Sequence, residues 1–430
     1  MNISLPLIKT NILKIFFITV FFVYYETRLI PGTLHGWVLI FGFMLTLPTV
    51  LQNFKNSHGK LPLDYTILAF LSLIYISGFL VNFADARLIH LQAYLLTIVC
   101  YVFVRENVSA VPMSFFFLLV RYFLLCNGLL VILQFVTGEF YPARYLAAGD
   151  PPLQIPSGVS DGPTKNGMLI SFALSFMFAR LLWAKTRASC LDIGIFMVGA
   201  MSLALAASRA GLLSFFVVLV LGSLFAVFNR KKYRLNLKNV AFVTFIFLIP
   251  MVAIYFSNFG LETLAGIRDP DIDKYGGSTV LYKLTIPTGE DSSVAQRFGA
   301  FDNSLRIIGD SPLSFFSVGI GLGSYQTLHE EFGFDSNYVE ILLETGAYGF
   351  LAFLFVTAYV VRKALSHRDP IEILPVLFAL VSVMVFMAFQ DVLRGRIFWI
   401  ALAILASFAY AKTDIKKAFK ETTSLRRVSG

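Results

Sequence analysis

The sequence predicts an all-α polytopic membrane protein with about twelve transmembrane helices. Three observations carry that prediction. Of the 430 residues, 57% are hydrophobic and 14% are charged, against roughly 25% charged in soluble domains. The apolar residues gather into runs of roughly 17–25, the length that crosses a bilayer. The basic residues favour alternate loops, as topology-setting charges do.

In order, the apolar runs cover 9–25, 34–51, 64–82, 88–104, 112–137, 166–184, 189–207, 209–228, 238–256, 338–361, 371–389 and 395–411. The first is followed by Glu26-Thr27-Arg28 with no small-x-small cleavage site, so it reads as an anchor rather than a signal peptide. The break at Ser208-Arg209 is so short that runs seven and eight form a tight helical hairpin. With the N-terminus inside, inner segments hold 21 of the 35 Lys and Arg, 12 fall outside, and Arg121 and Arg180 lie within runs. That asymmetry predicts cytoplasmic termini and an even number of spans. Arg121, nine residues into its run, is expected to pair inside the bundle or to reach the cytoplasmic surface. The chain divides into residues 1–256 with nine helices and an outer loop over 138–165, a long outer loop over 257–337, three helices over 338–411, and a basic cytoplasmic tail over 412–430.

Composition also excludes functions. The net charge of +9 comes from short loops, not from a nucleic-acid-binding patch. The three cysteines form no Cys-x-x-Cys and fall in or beside apolar runs, against a disulfide framework or a zinc site. The long outer loop is net acidic, with eleven acids and five bases. A non-terminal loop of that length is usually functional. Within it Phe298, Phe301, Leu305 and Ile308 recur at helical spacing, which predicts an amphipathic helix ending near Gly309 and Pro312.

The polar residues at the outer ends of the runs are the candidate site. Arg209 is either a headgroup-snorkelling side chain or part of an anion site. Arg297 is either a loop arginine paired with an acid or a phosphate-gripping fork. Asp335, just before the tenth run, is a natural helix N-cap and also a candidate base for a sugar hydroxyl. Lys165 is a candidate phosphate contact. Asn166 reads as a helix cap with a substrate-binding alternative. Glu344 is an acid inside a run, either a pocket residue or an arginine's partner. Arg394 and Arg396 add positive charge at the outer start of the twelfth run. Convergence of Arg209, Arg297, Arg394 and Arg396 would make a pocket fit for a lipid diphosphate. Gly319-Ile320-Gly321-Leu322-Gly323 lacks the spacing of a dinucleotide loop and reads as a tight turn or a close backbone approach to a ligand. Gly346 and Gly349, three apart on one helix face, predict close helix packing.

Together these pieces resemble the O-antigen ligase and O-antigen polymerase (Wzy-type) family of bacterial inner-membrane proteins. The matching residues are Ser208-Arg209-Ala210, Arg297, Pro312 with the Gly319–Gly323 turn, and Asp335-Ser336 followed after nine residues by Gly346 and Gly349. The resemblance covers about 160–355. It implies glycan transfer at the periplasmic face from an undecaprenyl-diphosphate donor, by an inverting, metal-independent reaction with no cofactor. It implies that Arg209 and Arg297 engage the diphosphate. The ligases carry His where Asp335 stands here. This difference favours polymerisation of lipid-linked repeat units into an O-antigen, capsule or exopolysaccharide. His329 is a substitute candidate for the missing histidine. The alternatives are en bloc ligation to a lipid or protein acceptor and, from another class, a polysaccharide or lipid transporter. No pair of broken helices in matching halves favours the transporter. Expected partners are the bilayer, the lipid-linked glycan, a flippase and a chain-length regulator, with no nucleic acid.

Overall fold

The computed structural model of the chain describes residues 5–22, 34–57, 60–81, 88–137, 146–147, 153–154, 156–160, 163–182, 190–206, 208–233, 244–245, 247, 306–307, 309–310, 319–322, 336–367, 370–390 and 396–409. Arg297, His329, Asp335 and Arg394, most of the run over 238–256, most of the long loop and the tail lie outside the described residues.

Apart from a two-residue antiparallel pairing of β1 (Leu146–Ala147) with β2 (Leu153–Gln154) and short turns such as 156–160 and 319–322, the described chain is helical. The helices are α1 (Leu5–Phe22), α2 (Leu34–Asn56), α3 (Leu63–Val81), α4 (Leu88–Asn107), α5 (Met113–Thr137), α6 (Pro163–Leu181), α7 (Cys190–Leu205), α8 (Arg209–Tyr233), α9 (Asn337–His367), α10 (Pro370–Met387) and α11 (Ile397–Ala409). Among the described residues, seven are long and apolar enough to cross a membrane, against the twelve spans expected. Three further apolar helices, at α7, α10 and α11, are shorter.

Successive helices run in opposite directions, and side-chain bonds fix this. Lys9 near the start of α1 donates to Thr49 near the end of α2 (2.7 Å). Arg105 at the end of α4 pairs with Asp64 at the start of α3 (2.9 Å). Ser382 of α10 donates to Ser171 at the middle of α6 (3.2 Å), tying these two helices together. One end of the bundle therefore gathers Lys9, Lys55, Lys60, Arg105, Arg180, Lys231, Lys232, Arg362 and Lys363. The other end gathers the starts of α6, α8 and α9 with the ends of α3, α5 and α10.

The core is largely aromatic and aliphatic, as burial of apolar area favours. Phe16 meets Phe103, Phe17 meets Phe116, and Phe21 meets Phe123, tying α1 to α4 and α5. Phe178 of α6 contacts Phe215 of α8, and Phe215 contacts Phe247 at 4.9 Å. That second contact seats part of the ninth expected run beside α8. Outward-facing Trp37, Leu80, Val136 and Phe228 are exposed, as suits lipid-facing positions. Arg121 of α5 does pair inside the bundle, with Asp192 at the start of α7 (3.1 Å).

Helix α9 departs from its expected geometry. Gly346 takes φ 65° and ψ −173°, which is not helical. It cuts α9 into a short piece over 337–345 and a long piece over 347–367. The long piece rises about 31 Å at 1.5 Å per residue, enough to cross the hydrocarbon core unaided. The reading of Gly346 as a helix-packing residue is thus corrected: it is a break. At Gly349 an added Cβ would collide with Thr345 across the break and make only ordinary contact with Ile74 of α3, at 3.4 Å.

Candidate active site

Two helix N-termini meet at the polar end. Helix α6 opens with Pro163, whose fixed φ suits a first helical position. Helix α8 is capped by Ser208, whose Oγ accepts from the Gly211 N–H at 3.3 Å. The two ends fit because residue 167 has no side chain. A Cβ on Gly167 would collide with Ser208, and one on Gly211 would sit 2.9 Å from the Gly167 carbonyl oxygen. Lys165 in the first turn of α6 and Arg209 at the first position of α8 are both partly exposed there. Two helix N-termini and the cations Lys165 and Arg209 share this end of the bundle, an arrangement that favours an anion.

A short segment, 156–160, is held against these termini by amides of α5. Gln134 Oε1 accepts from the N–H groups of Ser157 (3.1 Å) and Gly158 (2.8 Å), and its Nε2 donates to the Gly158 carbonyl (3.2 Å). Asn127 Oδ1 accepts from Val159 N–H (2.9 Å), so its Nδ2 must be the group that donates to Asn166 Oδ1 (2.9 Å). That chain fixes the orientation of the Asn166 amide, whose Nδ2 is buried, like Ser160 Oγ, without a partner among the described residues. Asn166 is the fourth residue of α6 rather than its cap, because Pro163 already starts the helix.

The second half of the site lies at the break in α9. Gly319 (φ 75°) and Gly321 (φ 97°) form a tight turn that docks on it. Ile320 N–H donates to the Leu343 carbonyl (2.8 Å), and Leu322 N–H donates to the Gly78 carbonyl of α3 (3.2 Å). A Cβ on Gly319 would clash with the Leu343 carbonyl and lie 2.7 Å from Gly346 N. The close approach expected of these glycines is therefore to the chain's own backbone. Asn337, Glu340 and Glu344 share one face of the short helix and are fully buried. Tyr94 Oη of α4 lies 2.7 Å from Glu340 and 2.8 Å from Glu344. Asn337 Nδ2 donates to Glu340 (2.7 Å). Tyr75 of α3 stacks on Tyr94 with ring centroids 4.5 Å apart. Tyr338 Oη donates to the Met384 carbonyl of α10 (2.9 Å), which brings this half to the same end of the bundle as α6 and α8. From the break, an apolar groove of about 740 Å³ runs between α3 and α9, lined by Ile67, Phe70, Tyr348, Leu351 and Phe355.

The structure brings Lys165, Asn166 and Arg209 together and places Glu344 in the acidic face. Arg396 caps α11, its carbonyl accepting from Ile400 N–H (2.8 Å), and its guanidinium reaches toward Gly36 of α2. Sequence reasoning passed over Asn127, Gln134, Tyr75, Tyr94 and Glu340. Glu340 carries the one usable signal, an acid four residues before Glu344 on the same helix face. Among the described residues, no group of three or more His, Cys, Asp or Glu is placed to hold a metal ion.

No curated protein matches the chain. Residues 194–354, which run from α7 through the break in α9, match the family model described as O-antigen ligase. That match takes in Arg209, the glycine turn and the acidic face, and over this stretch the chain is similar to the O-antigen ligase family.

Proposed function

We propose that the chain polymerises undecaprenyl-diphosphate-linked oligosaccharide repeat units into a surface polysaccharide at the periplasmic face of the bacterial inner membrane. The observation that carries this reading is the meeting of the α6 and α8 N-termini with Lys165 and Arg209, an anion site at the end of the bundle away from most of its basic residues. In this reading Arg209 and Arg297 hold the donor diphosphate and stabilise the charge that grows on it as it leaves the anomeric carbon. Asp335, two residues before the short helix of α9, takes the proton of the attacking hydroxyl, and attack from the opposite side inverts the anomeric centre. In this reading the two arginines do at the leaving diphosphate what a metal ion would otherwise do, and no cofactor takes part. The groove between α3 and α9 suits a polyprenyl chain in size and apolarity. The reading includes twelve spans, cytoplasmic termini, and Arg394 and Arg396 as further contacts to the anionic substrate. A flippase and a chain-length regulator supply the substrate and set product length.

The test is a glycan-length profile of a deletion strain complemented with wild type or Arg297→Ala at equal expression. Collapse of the long-chain ladder to single capped repeats, rescued by wild type alone, is expected. An unchanged ladder in the deletion strain overturns the reading. Ligation is the second reading, favoured by the description of the matching family model. Under ligation, the deletion leaves long chains on the carrier lipid.

A further inference from the structure

The opposite end of the bundle holds a cavity of about 570 Å³ that the reaction does not use. It lies where the α2–α3 connection meets the ends of α4 and α11. Its floor is a charged network. Arg105 pairs with Asp64 through Nε (2.9 Å) and with Glu106 Oε1 through Nη1 (2.6 Å). Tyr65 donates to the same Glu106 Oε1 and lies under the Arg105 guanidinium, 4.1 Å from it to the ring centroid. Among the described residues Glu106 Oε2, by contrast, receives one long bond, from Asn53 (3.3 Å). A carboxylate oxygen has lone-pair room for more donors than that. Glu106 is partly exposed toward the cavity, with its side chain 13% accessible.

The rim carries the opposite charge. Lys60 is exposed, and its ammonium makes no hydrogen bond or ion pair among the described residues. Lys60 and Glu106 face the same space without bridging it. Beside them Val50, Phe54 and Leu61 line an apolar wall, continuous with exposed Leu51 and Leu63 on the outer faces of α2 and α3. An acceptor inside, a cation at the rim and an apolar wall leading to the lipid-facing surface define one ligand chemistry: a primary ammonium, a phosphate and acyl chains, in that order.

We propose that this cavity holds the headgroup of a zwitterionic aminophospholipid. Its ammonium donates to Glu106 Oε2, its phosphate lies against Lys60, and its chains run over Leu51 and Phe54. Phosphatidylcholine fits less well, because a quaternary ammonium has no N–H to donate. An anionic headgroup fits less well because it brings a second negative charge toward Glu106. The site is independent of the glycan chemistry and survives failure of the proposed function.

The experiment is native mass spectrometry of the full-length protein released from nanodiscs containing equal parts phosphatidylethanolamine, phosphatidylcholine and phosphatidylglycerol. Wild type retains phosphatidylethanolamine in excess of its share. Glu106→Gln retains it on the order of tenfold less, the weight of one charge-assisted hydrogen bond, while the other two lipids are unaffected. Lys60→Ala, at an exposed position, serves where Glu106→Gln misfolds, and it too loses the preference. Retention in bilayer proportion by wild type overturns the proposal. So does an unchanged preference in a folded Glu106→Gln, or in Lys60→Ala. Displacement of the lipid by equimolar glycerophosphoethanolamine overturns its assignment to a lipid.

Discussion

Tyr94 and Tyr75 are stacked neighbours, 25° apart in ring plane, yet their hydroxyls stand in opposite circumstances. Tyr94 Oη lies within hydrogen-bond distance of two buried carboxyl groups, whereas Tyr75 Oη is buried with no partner among the described residues. Tyr94→Phe keeps the stack and deletes the bond, leaving Glu340 and Glu344 short of a donor in an interior where neither reaches water. A bond to a charged group contributes about 1.5–3 kcal/mol in soluble proteins, while bonds between membrane helices average nearer 0.6 kcal/mol. A loss of about 2 kcal/mol is expected. Tyr75→Phe removes an unsatisfied buried donor, so its effect is neutral or stabilising by up to about 1 kcal/mol. The same one-oxygen deletion thus changes stability with opposite sign at adjacent rings. The assay is thermal unfolding of purified protein followed by tryptophan fluorescence, with Trp399 of the core as the reporter (it contacts Tyr101 and Phe353). The expected order of midpoints is Tyr75→Phe at or above wild type, with Tyr94→Phe clearly below both. Equal losses in the two variants, or a larger loss for Tyr75→Phe, would refute the assignment of the acidic face to Tyr94.

Gly319→Ala strains a residue at φ 75° by about 1–2 kcal/mol and pushes the turn off the Leu343 carbonyl. It lowers the unfolding midpoint and shortens the glycan ladder, whereas Ile320→Val leaves both unchanged. Gly167→Ala separates the α6 and α8 N-termini, because the new methyl collides with Ser208. Titration with inorganic pyrophosphate, read by isothermal calorimetry, then shows weakened binding beside wild type. Arg209→Ala reduces chain synthesis on the order of 10²–10³-fold, by analogy with other preorganised charge stabilisers, while Arg209→Lys restores part of it. Equal activity of Arg209→Ala and wild type in a lipid-linked substrate assay would remove Arg209 from the donor site. Asp192→Asn leaves Arg121 without its ion-pair partner. The unfolding midpoint falls while the ladder of the folded fraction keeps its length.

The helical class and the run-to-run alternation were legible because bilayer thickness forces long apolar segments, and these show in any window of the sequence. Arg209 was legible because a two-residue break between apolar runs is itself a signal. The break at Gly346 was not. A glycine three residues from another reads as close packing, and a helix that continues on both sides hides an interruption in its middle. Tyr94 could not be chosen from a chain rich in aromatic residues. Its meaning depends on acids 246 and 250 residues away. Asn127 and Gln134 lie within an apolar run, and their role appears once the segment 156–160 is seen folded against them.

The glycine turn and the start of α9 are bound to the same structure, through the Leu343 and Gly78 carbonyls on one side and the short helix on the other. The ends of the intervening stretch, residues 323–335, are therefore fixed by bonds that do not involve that stretch. This stretch carries His329 and Asp335. Under the proposed function, the chemistry assigned to that stretch thus rests on two anchors in one scaffold, and a variant at either anchor acts on it from a distance.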